Sequence, residues 1–164
     1  MNTIYKKLNK DDLHQSLLLF KKLKEEAAEV TYVDIVEKKQ VENWLHQPNY
    51  YIYVAIIDEK IVGFFRGVRG LSNESHGILI TIAIDPDYRN RHIAKSLILY
   101  SLDDIKKKEK NISLARAYVY SNNKASINTM LCCGFTISGS VYQHHFDAKT
   151  KTYIDDVIFH KILE

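Results

Sequence analysis

The feature that most constrains the fold is an apolar run, Gly77–Ile84, that leads through a turn into a helical pattern. A run so rich in β-branched residues is typical of a strand buried on both faces, in a sheet that helices cover. Asp85-Pro86-Asp87 ends the strand, because these residues favour turns. The segment from Ile93 to Lys110 then predicts a helix, from a stripe formed by Ile93, Leu97, Ser101 and Ile105. The pattern therefore favours an α/β domain.

The rest of the chain alternates strand-like and helix-like segments in the order β-α-α-β-β-β-α-β-α-β-β. The other predicted strands are Thr3–Leu8, Tyr50–Ile57, Ile61–Val68, Ile112–Tyr120, Phe135–Phe146 and Thr152–Ile162. The other predicted helices begin at Asp11 or Asp12, run from Asp34 to His46, and run from Asn123 to Cys133 before the stop signal Gly134. This order predicts a single mixed α/β domain over residues 1–164, with about seven strands in a central sheet and about four flanking helices.

Composition excludes several other classes of protein. The chain has 164 residues, of which 46% are hydrophobic and 26% charged, so one buried core is expected. Its cysteines, Cys132 and Cys133, are adjacent, and no Cys or His spacing resembles a zinc site, so no metal is expected. No apolar run reaches the ~20 residues that span a membrane, and Met1–Lys10 lacks the apolar region of a signal peptide. A cytoplasmic protein without a membrane partner is expected.

The positive charge is small but concentrated at one place. A net charge of +3 is far below that of a dedicated nucleic-acid binder, so no nucleic-acid partner is expected. Arg89, Arg91 and Lys95 gather at the start of the predicted helix after the central strand. The first turn of a helix has free backbone N–H groups and the positive end of the helix dipole. This arrangement predicts an anion site suited to a pyrophosphate.

Two blocks of the sequence resemble the GCN5-related N-acetyltransferase (GNAT) family. The first is Arg89-Asn90-Arg91-His92-Ile93-Ala94, preceded by Ile84-Asp85-Pro86, which is similar to the family's acetyl-CoA signature. The second consists of Asn123, Ser126 and Gly134-Phe135. The two blocks have the separation of the family pattern, and the predicted order of elements matches the family over nearly the whole chain.

The resemblance implies a role for each block in binding acetyl-CoA. The strand residues Ile82, Ala83 and Ile84 would carry a bulge, and their backbone would pair with the pantetheine arm. The sheet would splay beyond the bulge, so that the thioester sits between this strand and Ile112–Tyr120. Asn123 and Ser126 would lie beside the arm. The pyrophosphate would be held by the backbone of Arg89, Asn90, Arg91, His92, Ile93, Ala94 and Lys95.

The chain departs from the family pattern at two positions. His92 stands where the pattern has a glycine, whose missing Cβ lets the backbone approach phosphate closely. The imidazole of a histidine can still donate to phosphate. Met130 stands where family members often have a tyrosine that protonates the leaving thiolate, and a thioether has no proton to donate.

Other residues must therefore supply any acid and base. Tyr120 and Tyr118 are the nearest phenols in sequence, and His144 or His145 offers an imidazole that titrates near neutral pH. Strand alternation sends the two histidines to opposite faces, so only one of them would reach a given cleft. We favour Tyr120 as the acid and His145 as the base, against the alternative that both are ordinary strand residues.

The resemblance implies an acetyl-CoA-dependent N-acetyltransferase acting on a primary amine. The alternative is a non-catalytic acyl-CoA-binding or regulatory module on the same fold. The acceptor, a small molecule or a peptide amine, stays open, as does homodimer formation. Tyr32 and Trp44 either line the acceptor pocket or pack in the core. Glu25 and Glu29, four apart on a predicted helix face, either attract a cationic acceptor or are solvated.

Overall fold

The structure, a computed structural model, describes residues 2–28 and 30–164. Within those residues the strands are β1 Ile4–Lys7, β2 Tyr50–Ile57, β3 Lys60–Arg69, β4 Gly77–Ile84, β5 Leu114–Tyr120, β6 Thr136–Asp147 and β7 Thr152–Ile162. The α-helices are α1 Leu13–Glu25, α2 Lys38–Leu45, α3 Ile93–Lys108 and α4 Lys124–Cys132. Short 3-10 turns occupy Lys10–Asp12, Thr31–Asp34, Ser72–Glu74 and Pro86–Tyr88. The predicted α/β architecture of seven strands and four helices is confirmed.

Two helix starts differ from the predicted ones because local caps decide them. Asn9 caps the 3-10 turn before α1, since its side chain accepts from the Asp11 amide while the Asp12 carboxylate accepts from the Asn9 amide. The helix predicted from Asp34 begins as a 3-10 turn, and α2 starts only after Glu37, which forms a capping box with Gln40. No helix in the described part of the chain is long and apolar enough to cross a membrane.

The seven strands form one sheet in the order β1-β2-β3-β4-β5-β7-β6. Every neighbouring pair is antiparallel except β4 and β5, which run parallel. These two strands pair only where Gly77, Ile78 and Leu79 face Leu114, Ala115 and Arg116. Beyond that point the sheet opens, as predicted, between the second half of β4 and the second half of β5. The opening lies at the end of β4 that leads into α3.

The bulge predicted at Ile82, Ala83 and Ile84 is absent. The register of β3 with β4 runs without a shift from Arg69↔Ile78 to Gly63↔Ile84, and the Asp85 amide continues the ladder by donating to the Val62 carbonyl. The prediction was wrong because the sheet opens through the divergence of β5, with the β3–β4 ladder intact. Since hydrogen-bonded pairs alternate along an antiparallel ladder, the backbone groups of Ile82 and Ile84 point away from β3, into the opening.

The two faces of the sheet carry separate apolar clusters. Helix α3 packs on one face against residues such as Phe65, and α1 and α2 pack on the other against Phe64. Tyr32 is fully buried and stacks on Phe20 with ring centroids 5.0 Å apart, which confirms the core interpretation for this residue. Leu79 is 41% exposed, so β4 is not buried on both faces over its whole length.

Candidate active site

The turn between β4 and α3 is held by a buried carboxylate. Asp85 is 8% exposed, and its Oδ1 accepts from the Asp87 amide at 2.9 Å and from Lys22 Nζ at 2.6 Å. Lys22 also bonds the carboxylate of Asp87. Hydrogen bonds to Asp85 and Asp87 raise the pKa of Lys22. The hydrogen bond from Lys22 lowers the pKa of Asp87. Helix α1 is thereby tied to the turn that precedes the predicted pyrophosphate site.

The loop before α3 contains two residues in the left-handed conformation. Asn90 has φ 58°, and His92 has φ 60° and ψ 10°. His92 is the N-cap of α3 and makes no side-chain capping bond, so the first-turn amides are not capped by it. Left-handed residues in a turn before a helix are typical of backbone nests that bind anions. The conformation at His92 is the one a glycine adopts without strain, which explains the glycine of the family pattern.

Arg89 and Arg91, two of the basic side chains at this turn, are engaged with neighbouring groups. Arg89 forms an ion pair with Glu26, which directly follows α1, with Nη1 and Oε1 2.5 Å apart. The Arg91 guanidinium lies 5.1 Å from the ring centroid of Tyr88. Lys95 is exposed in the first turn of α3. We infer that the backbone amides are the main anion donors and that these side chains add positive potential around them.

The opening between β4 and β5 is bordered by the strand residues that the sequence singled out. Ala83 is buried against the α1 side of the sheet, while Ile82 and Ile84 pack against the α3 side. Across the opening, Asn123 caps α4, because its Oδ1 accepts from the Ser126 amide at 3.1 Å. The predicted N-cap is therefore confirmed. Contact of these residues with a cofactor stays a prediction.

The predicted acid and base are brought together by the fold. The hydroxyl of Tyr120 lies 3.5 Å from His145 Nδ1, and the two ring centroids are 4.3 Å apart. On its other side, His145 Nε2 lies 3.2 Å from Oδ1 of Asp156. Asp156 is 7% exposed and sits on β7, directly opposite Tyr120 in the register. The arrangement links a phenol, an imidazole and a buried carboxylate at the end of β5 that borders the opening.

His144 and His145 do not point to opposite faces, so the alternation prediction was wrong. His144 Nδ1 lies 2.7 Å from Oδ2 of Asp156, the carboxylate that His145 also approaches. The cause is a register shift between Val141 and His145, where Gln143 has φ 50°. Residues 142–144 of β6 lie opposite the single residue Asp155 of β7, and the two extra residues turn consecutive side chains toward the same side of the strand.

Comparison with known proteins settles the family. A model of the acetyltransferase (GNAT) family matches residues 16–135, which is more than half of the chain. The chain belongs to the GNAT acetyltransferase family. It is therefore an acyltransferase, and nothing in the comparisons supports the non-catalytic alternative. The GNAT model ends at Phe135, so His145 and Asp156 lie outside the matched residues.

Solved structures share the GNAT fold at low sequence identity. An acetyltransferase of the GNAT family from Streptococcus pneumoniae aligns with TM-score 0.85 and 16% identity, over 99% of this chain and all of that one. A putative acetyltransferase from Salmonella typhimurium, solved with acetyl-CoA, aligns with TM-score 0.85 and 14% identity, over 99% of this chain and 94% of that one. A ribosomal-protein-alanine N-acetyltransferase from Brucella melitensis aligns with TM-score 0.83 and 19% identity, over 98% of this chain and 99% of that one. No curated protein matches the sequence.

Met130, at the position of the frequent GNAT tyrosine, belongs to the core. Its side chain is 3% exposed and packs in the cluster beneath α3 and α4. It therefore contributes apolar packing at this position. The phenol of Tyr120, 10 residues earlier, is the hydroxyl group that the fold places beside an imidazole.

Sequence reasoning missed three residues of this GNAT site. Asp156 had a usable signal, because two adjacent acidic residues, Asp155 and Asp156, interrupt the apolar residues of the predicted strand Thr152–Ile162. Lys22 and Glu26 had none, since their partners are more than 60 residues away and meet them only through the packing of α1. Glu29, suggested with Glu25 as an acceptor contact, lies outside the described residues, and α1 ends at Glu25.

Proposed function

We propose that the protein transfers the acetyl group of acetyl-CoA directly to a primary amine in the opening between β4 and β5. The observation that carries the proposal is the placement of three features at one end of the sheet. They are the outward-facing backbone of Ile82 and Ile84, the uncapped N-terminus of α3 at His92, and the Tyr120–His145 pair.

The residues present fit acetyl-CoA as a substrate. The pantetheine arm carries amide groups, and the backbone edge of Ile82 and Ile84 offers them strand-like hydrogen bonds. The amides of residues 89–95 suit the pyrophosphate, with Arg91 and Lys95 nearby as positive charges. Asn123 and Ser126 border the other side of the opening, where they would contact the arm.

Tyr120 and His145 would handle the protons of the reaction. The amine attacks the thioester carbonyl, and a bond forms between nitrogen and carbon while the carbon–sulfur bond breaks. His145 takes the proton that the nitrogen loses, and the Tyr120 hydroxyl gives a proton to the departing thiolate. The 3.5 Å contact then lets His145 return a proton to the phenolate of Tyr120, so the protein ends as it began. Oδ1 of Asp156 lies 3.2 Å from Nε2 and would keep the imidazole in place by this close contact, although the two atoms form no hydrogen bond.

The acceptor is proposed only as a primary amine of a small molecule or peptide. The segment between α1 and β2 covers the sheet beside the opening, and its Trp44 ring lies 4.7 Å from the guanidinium of Arg66. Arg66 pairs in register with Thr81, in the half of β4 that borders the opening. We propose Trp44 and Arg66 as candidates for contact with the acceptor, at a position away from its amine.

Acetyl-CoA with a panel of amines, a thiol reporter and mass spectrometry of the products tests the proposal. We expect thiol release that depends on one class of amine, with an acetylated amine as product. Tyr120→Phe should suppress the rate without weakening acetyl-CoA binding measured by calorimetry. Tyr118→Phe is the matched control, since Tyr118 lies on the same strand face and is 47% exposed. Binding of acetyl-CoA with no amine-dependent thiol release across a broad panel would contradict the proposal.

A further inference from the structure

Three potential metal ligands converge beside the proposed proton-transfer pair. One ring nitrogen from each of His144 and His145 and a carboxylate oxygen of Asp156 all lie within 4.8 Å of one another. Two imidazoles and a carboxylate form a donor set of nitrogen and oxygen that suits zinc and neighbouring transition ions. The residues come from two paired strands, β6 and β7, so their backbones are held together by the sheet.

The buried atoms of this cluster have unmet bonding capacity. Oδ1 of Asp156 and Nε2 of His145 are both buried, and neither has a hydrogen-bond partner, although they lie only 3.2 Å apart. Asp156 itself is 7% exposed, and buried polar atoms without partners are rare and costly. Two ligands held about 2.1 Å from one zinc ion at a tetrahedral angle are about 3.4 Å apart. The separation of these atoms is therefore close to that of ligands sharing an ion.

The backbone and the exposure of the cluster also suit an ion. The register shift before His145 turns both histidines toward Asp156, which a regular strand would prevent. The His144 side chain is half exposed, so solvent can reach the cluster and supply the remaining ligands as water. The expectation of no metal rested on the absence of zinc-like spacing along the chain, a criterion that does not detect ligands assembled from two strands.

We propose that His144, His145 and Asp156 bind one divalent transition ion of the zinc class. This goes beyond acetyl transfer, and the binding does not depend on it. The ion takes the lone pair of His145 Nε2 and the free oxygen of Asp156. A consequence that does rest on the proposed function is reversible inhibition, because a metal-bound His145 no longer exchanges protons with Tyr120.

Calorimetry of metal-free protein with Zn²⁺, repeated in competition with a chromogenic chelator, tests the site. We expect one ion per chain, with affinity lowered at least about tenfold by His144→Ala. His144 is exposed, so this variant should fold, which circular dichroism can verify. His160→Ala removes another histidine of the same sheet, and Cys132→Ser removes an exposed thiol; neither should change the affinity. Mg²⁺, which prefers oxygen ligands, should not compete.

The outcomes separate the metal site from the proposed activity. Equal zinc affinity in His144→Ala and the parent protein, loss of binding in Cys132→Ser, or no binding at all would overturn the site. If acetyl transfer is also observed, the zinc concentration for half-inhibition should rise at least about tenfold in His144→Ala, relative to that variant's own zinc-free rate. Zinc binding that follows the variants, in a protein without transferase activity, would leave the site standing and overturn only the proposed function.

Discussion

Tyr120 on β5 and His145 on β6 meet across the intervening strand β7, with the phenol oxygen 3.5 Å from Nδ1. Strands two places apart are about 10 Å apart, so only long side chains leaning toward each other make such a contact. Asp156, on the intervening strand β7, lies beside the other ring nitrogen of His145, with its Oδ1 3.2 Å from Nε2. The contact brings together two side chains that are 25 positions apart in sequence, and we propose that they act as one proton-transfer unit.

The first prediction concerns this unit. Tyr120→Phe and His145→Gln should each lower kcat by about 10²–10⁴-fold, since each removes a group that moves a proton. The double variant should be little slower than the slower single variant, because residues that act together give non-additive losses. Steady-state kinetics at saturating acetyl-CoA measures this. Losses that multiply in the double variant, or that appear only in KM, would show that the two residues do not act as a unit.

The second prediction concerns the left-handed residue before α3. His92→Gly should stabilise the protein by about 1 kcal/mol, because a residue with a Cβ is strained at φ 60°. Thermal unfolding should show a rise in Tm, and acetyl-CoA should bind at least as tightly. His92→Ala keeps the Cβ and should show neither gain. Weakening of acetyl-CoA binding in both variants would instead assign phosphate binding to the imidazole ring.

The third prediction concerns Lys22, the lysine that ties α1 to the turn between β4 and α3. Lys22→Met should lower the free energy of unfolding by about 1–3 kcal/mol, because it leaves the buried Asp85 carboxylate without its charged partner. Lys21→Met is the control. The Lys21 side chain is 75% exposed, and its ion pair with Glu25, at 4.0 Å, lies on the surface, where such pairs contribute little to stability. Denaturant unfolding measures both. Equal stability of the two variants would contradict a structural role for Lys22.

The difference in free energy of unfolding between Lys22→Met and the parent protein should depend on pH, in a way that follows from the direction of the pKa shifts. The pKa of Lys22 is raised above 10.5 by its hydrogen bonds to Asp85 and Asp87, so its contribution is complete below pH 10.5 and lost as the pH rises through the folded value. The pKa of Asp87 is lowered below 3.8, so its contribution is present above pH 3.8 and lost as the pH falls further. The stability gap between Lys22→Met and the parent should therefore be flat around neutral pH and narrow at both extremes.

The fourth prediction concerns the adjacent cysteines. Burial raises the pKa of the Cys133 thiol to about 11, whereas Cys132 is exposed. Because the thiolate is the reactive form, a thiol reagent should label one cysteine per native chain and two after unfolding. Cys132→Ser should abolish the native labelling. Two rapidly reacting thiols in the native protein would contradict the burial of Cys133.

Much of the fold was predictable because its strands are long and clearly bounded. The predicted bounds of Tyr50–Ile57, Gly77–Ile84 and Thr152–Ile162 coincide with those of β2, β4 and β7. Each is rich in β-branched or aromatic residues, and the first two end at turn-forming residues, Asp58 and Asp85-Pro86. The N-cap at Asn123 was equally readable, because capping depends only on neighbouring residues.

The parts of the site that sequence reasoning missed depend on contacts between distant segments. The joint orientation of His144 and His145 depends on one left-handed residue, Gln143, whose amide donates to the Asp155 carboxylate 12 positions later. The pairing of Arg89 with Glu26 depends on how α1 packs. The bulge expected in β4 came from the family pattern, and only the register of the strands could test it.

A crystal structure with CoA bound would test whether acetyl-CoA occupies the opening between β4 and β5. We expect the pyrophosphate within hydrogen-bond distance of the amides of residues 89–95 and the pantetheine arm along the backbone of Ile82 and Ile84. The CoA sulfur should lie in the opening between β4 and β5, with Tyr120 as the nearest phenol. A pyrophosphate bound away from residues 89–95, or a sulfur outside that opening, would contradict the account.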